Sequence, residues 1–62
     1  QVKLLQTMLA KDPSVYPEAK VTGYYGNLTK KAVERFQQKY GIEQTGIAGP
    51  QTRTKLNEVY GQ

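Results

Sequence analysis

A nine-residue frame occurs twice in this chain, and it limits the possible folds more than any other feature. Thr22-Gly23-Tyr24-Tyr25-Gly26-Asn27-Leu28-Thr29-Lys30 returns 23 residues later as Thr45-Gly46-Ile47-Ala48-Gly49-Pro50-Gln51-Thr52-Arg53. The shared pattern is T-G-x-x-G-x-x-T followed by a cation, and Val33 in the first copy matches Leu56 in the second. Glycines at fixed offsets supply backbone angles that residues with a Cβ avoid. A helix is expected just past the second glycine of each copy. A repeated supersecondary unit implies two packed copies of one device. By helical phase Thr29 and Thr52 face inward beside Val33 and Leu56, and an inward hydroxyl needs a partner. The simplest partner is a backbone group of the turn before it. Gly23, Gly26, Thr29, Gly46, Gly49 and Thr52 are therefore expected to be structural, locking each turn to the helix it starts.

The rest of the chain reads as helices around these turns. Over residues 2–11, Val2, Leu5, Met8 and Leu9 share one arc with Leu4 at its edge, while Lys3, Thr7, Ala10 and Lys11 face away. Asp12-Pro13 stops this helix, since Pro lacks an N–H and disfavours helix in the residue before it. Residues 12–26 form a long connection of the kind often tied to function. Val15, Tyr16 and Val21 are expected to pin it to the core, with room for a short bridge near Thr22–Tyr24. Over 27–40, Thr29, Ala32, Val33, Phe36 and Tyr40 share an arc, flanked by a cationic stripe of Lys31, Arg35 and Lys39. Gly41 sits where a C′ glycine belongs. Pro50 suits the first position of a third helix, residues 50–60, with Thr52, Leu56, Val59 and Tyr60 inward. The expected fold class is all-α: a three-helix bundle with a long first loop, forming one domain over residues 1–62.

Sixty-two residues bury only about 60% of the surface their unfolded chain exposes. A shallow groove is therefore a more natural site than an enclosed pocket. With no Cys and no His, imidazole and thiolate metal sites are excluded, as are Ser-His and Cys-His nucleophiles. The five carboxylates form no pair that could work across a cleft, so neither catalysis nor a metal or other cofactor is expected. The net charge of +4 favours an anionic partner, yet it is also ordinary for a soluble domain. A nucleic-acid reader would need a richer cluster on the last helix than Gln51, Arg53, Lys55 and Asn57. No apolar run is long enough to span a membrane. The G-x-x-G spacing lacks the Gly-Lys-Ser/Thr of a phosphate loop. The chain starts at Gln1, and we read it as a module of a longer protein.

The motifs together resemble the peptidoglycan-binding domain family, small three-helix modules attached to cell-wall hydrolases and related proteins. The resemblance runs through Leu5-Gln6 with Leu9, Gly23 to Val33, Phe36-Gln37, Thr45-Gly46 and Gly49-Pro50-Gln51-Thr52, covering residues 2–57. Thr22 departs from the Asp usual before the first glycine, and Asn27 stands where the family often has Pro. The resemblance implies non-catalytic binding of peptidoglycan, an attached catalytic domain, a monomer, and a location outside the cell or at the wall. The alternative is a structural or protein-interaction module of the same fold without wall binding.

Peptidoglycan offers sugar faces, amide-rich stem peptides and free carboxylates. A binder wants aromatic platforms, amides and cations. Tyr24, Tyr25, Asn27, Arg35 and Gln37 are the candidates for a shallow groove beside the first turn. In it Tyr24 would stack, Asn27 and Gln37 would hydrogen-bond, and Arg35 would neutralise a carboxylate. Tyr24 and Tyr25 have an alternative role as plugs beneath the turn. Gln6 and Gln37 follow the core residues Leu5 and Phe36, which suits either a buried bond to a loop or a groove-lining amide.

Overall fold

The computed structural model describes residues 2–61 and contains three helices: α1 (Val2–Leu9), α2 (Asn27–Lys39) and α3 (Pro50–Tyr60). No strand occurs among the described residues. The molecule measures 25 × 24 × 20 Å.

Helix α1 ends two residues before the expected position. Lys11 N–H bonds the Met8 carbonyl and Asp12 N–H the Leu9 carbonyl, both i→i−3 contacts that tighten the last turn as Pro13 approaches. Ala10, expected to face away, packs against the core instead. Helix α2 closes with Tyr40 as C-cap and Gly41 at φ +71°. Ile42 N–H reaches the Gln37 carbonyl at 2.8 Å and Gly41 N–H the Gln38 carbonyl at 3.3 Å. This is the Schellman arrangement that a C′ glycine permits, and it turns Ile42 back onto the bundle. Pro50 opens α3 as expected.

The core consists of Leu9 from α1, Val15 and Tyr16 from the loop, Ala32, Val33 and Phe36 from α2, and Leu56 from α3. Phe36 is fully buried and stacks at a tilt on Tyr40, with centroids 4.7 Å apart. One of the three expected loop anchors differs. Val15 and Tyr16 are buried, whereas Val21 is exposed and no bridge forms near Thr22. Val59, expected inward on α3, is 38% exposed. The loop is held by polar contacts as well: Tyr16 O–H donates to the Lys20 carbonyl at 2.7 Å, and Lys39 of α2 pairs with Asp12.

The repeated turn is locked by a glutamine from the helix before it. Gln6 Nε2 donates to the Thr29 hydroxyl at 2.9 Å, the Tyr24 carbonyl at 3.0 Å and the Thr22 hydroxyl at 3.3 Å. Its Oε1 accepts from Thr22 N–H at 2.8 Å and Gly23 N–H at 2.9 Å. Gln37 repeats the pattern on the second turn. Its Nε2 donates to the Thr52 hydroxyl, the Ile47 carbonyl and the Thr45 hydroxyl, and its Oε1 accepts from Gly46 N–H at 3.0 Å. Thr29 and Thr52 are buried as expected, but their partner is this amide rather than the turn backbone. The backbone groups that the glutamine needs are presented by Gly23 at φ +83° and Gly46 at φ +76°, a region costly for residues with a Cβ. Gly26 and Gly49 do not share this role. Both are extended helix N-caps, at φ −106° and −78°. A Cβ on Gly26 would lie 2.7 Å from the Tyr24 ring, whereas one on Gly49 would meet nothing within 4 Å.

Candidate functional site

The first turn, braced by Gln6, forms one wall of a shallow groove of about 220 Å³. Thr22 supplies the brace that an Asp was expected to give: its hydroxyl accepts Tyr24 N–H at 3.1 Å, matching Thr45 and Ile47 N–H in the second turn. Tyr24 is 75% exposed. One edge of its ring, Cδ2–Cε2, passes close to the bare Gly26, and most of the ring is open to solvent. Asn27, exposed at the start of α2, lines the same groove together with Lys20 and Leu28. No side chain caps the first turn of α2. An open aromatic face, an amide and a cation thus converge on one shallow surface, which suits a polar polymer with planar or ring surfaces.

The other expected site residues lie elsewhere. Gln37 is 1% exposed, and its amide is committed to the second turn, so it belongs to the structural lock and not to this groove. Arg35 is exposed but sits two turns along α2 from Asn27, where its Nη1 donates to the Val15 carbonyl at 3.2 Å. It is not part of the groove lining. Tyr25 is neither plug nor platform. It is 37% exposed, and its hydroxyl donates to the Gly46 carbonyl, tying the first turn to the second. Burial and the charge of Glu34 push the Tyr25 hydroxyl pKa up, which keeps it a donor. Lys20 was not among the sequence candidates. The signal for it was present in its position two residues before the frame, but nothing in the sequence revealed that Tyr16 pins its backbone.

A second groove of about 380 Å³ lies between α1 and α3, walled mainly by apolar side chains and by Tyr25, Arg53 and Asn57. Among the described residues no cluster of three or more His, Cys, Asp or Glu could hold a metal ion. Among the described residues no helix is long and apolar enough to cross a membrane.

Three short helices, two glutamine-locked turns and shallow open grooves make up the small helical domain. The chain belongs to the peptidoglycan binding domain family, whose model matches residues 1–56. It is 40% identical over 58 residues to the zinc D-Ala-D-Ala carboxypeptidase of Streptomyces albus G, a match covering 94% of this chain and 23% of that protein. Two Bacillus licheniformis proteins also match. One is described as "Probable N-acetylmuramoyl-L-alanine amidase" (50% identical over 36 residues, 58% of this chain and 10% of that protein). The other is the N-acetylmuramoyl-L-alanine amidase CwlL (44% over 39 residues, 63% and 11%). The chain therefore spans a quarter or less of the length of these relatives. No solved structure gave a match. As a member of this family the chain is a non-catalytic peptidoglycan-binding domain.

Proposed function

We propose that the chain binds peptidoglycan through the groove beside the first turn and holds an attached catalytic domain against the wall, outside the cell. The observation that carries this placement is the Tyr24 ring, 75% exposed with one edge close to Gly26, in a groove it shares with Asn27 and Lys20. An exposed tyrosine ring offers a large stacking area with only two side-chain torsions to order. Asn27 supplies both a donor and an acceptor for sugar hydroxyls or acetamido groups. Lys20 supplies the charge for a nearby carboxylate. Arg35 and Gln37 have no role in this groove.

The attached domain is inferred from the relatives, which are wall enzymes of which this chain matches a small part. The carboxypeptidase is named for D-Ala-D-Ala, so D-alanyl peptide ends are the wall chemistry we associate with such a module. Co-sedimentation with insoluble peptidoglycan sacculi, with cellulose and chitin as controls, tests the reading. Retention on sacculi alone, persisting at physiological salt and reduced at least tenfold by Tyr24→Ala in a folded protein, is the expected result. Full retention by both Tyr24→Ala and Asn27→Ala would move the site off the first turn. No retention by the unaltered chain would favour an interaction module of the same fold.

A further inference from the structure

The groove between α1 and α3 has a chemistry of its own. Leu4, Leu5 and Met8 from α1 and Ile47 from the second turn make an apolar wall. Leu4 is 57% and Ile47 67% exposed, so large aliphatic groups stand in water at its rim. The opposite edge is polar. Arg53 and Asn57 stand one turn apart on α3. Arg53 Nε donates to the Ala48 carbonyl at 3.2 Å, which orients the guanidinium, and no ion pair engages it among the described residues. Among the described residues no carboxylate lines the groove. One oriented guanidinium, one amide, an aliphatic wall and no competing acid are complementary to a small anion bearing methyl groups, such as the carboxylate end of a short apolar peptide.

Tyr24 lines the first groove and its chain neighbour Tyr25 lines this second one. We propose that this groove holds the carboxylate end of an alanyl wall stem peptide. Arg53 receives the carboxylate, Asn57 the last peptide group, and Leu4, Met8 and Ile47 the methyl groups. The inference rests on the wall-binding reading above.

The test is an NMR titration of the 62-residue chain with N-acetyl-D-alanyl-D-alanine and with its C-terminal amide, alongside the sacculi assay. The acid should shift the amides of Ile47, Ala48 and Asn57 and bind about tenfold more tightly than the amide. Arg53→Gln should reduce the acid to the level of the amide, whereas Tyr24→Ala should leave the preference intact. Ile47→Ser, on the exposed rim, should weaken both probes alike. Equal binding of acid and amide, or shifts confined to the first turn, with sacculi still retained, overturns this assignment and leaves the wall reading standing. If the unaltered chain fails to retain sacculi, the wall reading falls, and this inference falls with it.

Discussion

At the residue scale, two glutamines carry the architecture. Gln6 and Gln37 are each 1% exposed, and each satisfies a turn and a helix start at once. Gln6→Ala would strand Thr22 N–H, Gly23 N–H and the Thr29 hydroxyl. At about 1 kcal/mol or more for each stranded group, the loss should reach roughly 3 kcal/mol, a large share of the stability of a chain this short. Chemical denaturation checks it, and Gln37→Ala should cost a similar amount. The glycines separate into two classes. Gly23→Val and Gly46→Val should each destabilise by at least about 2 kcal/mol because they force a β-branched residue to positive φ, whereas Gly49→Ala should change the melting temperature little. Equal melting of all three variants would refute the distinction. Tyr60 is a third residue-scale case. Its hydroxyl is buried with no hydrogen-bond partner among the described residues, and burial together with the Asp12 charge pushes its pKa up to about 12. The folded state therefore disfavours the phenolate, and this contribution is present below pH 10 and lost as pH rises towards 12. Tyr60→Phe should be neutral to stabilising by about 1 kcal/mol at pH 7 and should flatten the alkaline fall between those values. A steeper alkaline fall in the variant contradicts this account.

At the element scale, the loop after α1 is tied to the end of α2 by Asp12 and Lys39. The Lys39 ammonium, and then the Ser14 hydroxyl, lower the Asp12 pKa from 3.8 to about 2. A carboxylate with a depressed folded pKa stabilises above its unfolded value and loses that contribution as pH falls through the folded one. Asp12→Asn should therefore melt lower than the native chain at neutral pH, with the gap closing between pH 4 and 2. The pair is exposed, so the gap should be small and should shrink in high salt. Two boundaries were legible because caps announce them: Gly41 and Pro50 act where the sequence placed them, whereas α1 ends at Leu9, two residues short of the stop read from Asp12-Pro13. The core face of α2 was equally legible from period 3.6. The candidate site was only half legible. Tyr24 and Asn27 lie beside the first turn because they belong to the turn itself. Arg35 and Gln37 were assigned by phase on α2, which gives a direction around the axis but not how far along it a neighbouring loop runs. Phase also could not show that a glutamine beside Phe36 would be captured by a turn ahead of it in the chain.

At the scale of the whole molecule, the proposed recognition surface is assembled without any element dedicated to it. The first turn gives Tyr24 and Asn27, the loop gives Lys20, and the Tyr25 hydroxyl ties one turn to the other. Retention on sacculi should fall only modestly with salt, because stacking and neutral hydrogen bonds are less screened than exposed charges. A drop of several decades between low and physiological salt would instead indicate purely ionic adsorption.

The same lock is closed over two connections of different length. Gln6 and Thr22 are 16 positions apart, Gln37 and Thr45 only 8. Loop-closure entropy grows as the logarithm of length, so this doubling costs only about 0.6 kcal/mol. A glutamine amide binding its turn has no memory of the path between them. The first connection can therefore change in length and composition wherever it makes no contact of its own, outside Asp12, Ser14, the buried Val15 and Tyr16, and the Lys20 carbonyl that Tyr16 holds. Variation in specificity can accumulate there at almost no thermodynamic penalty, while the frame that seats Tyr24 stays the same.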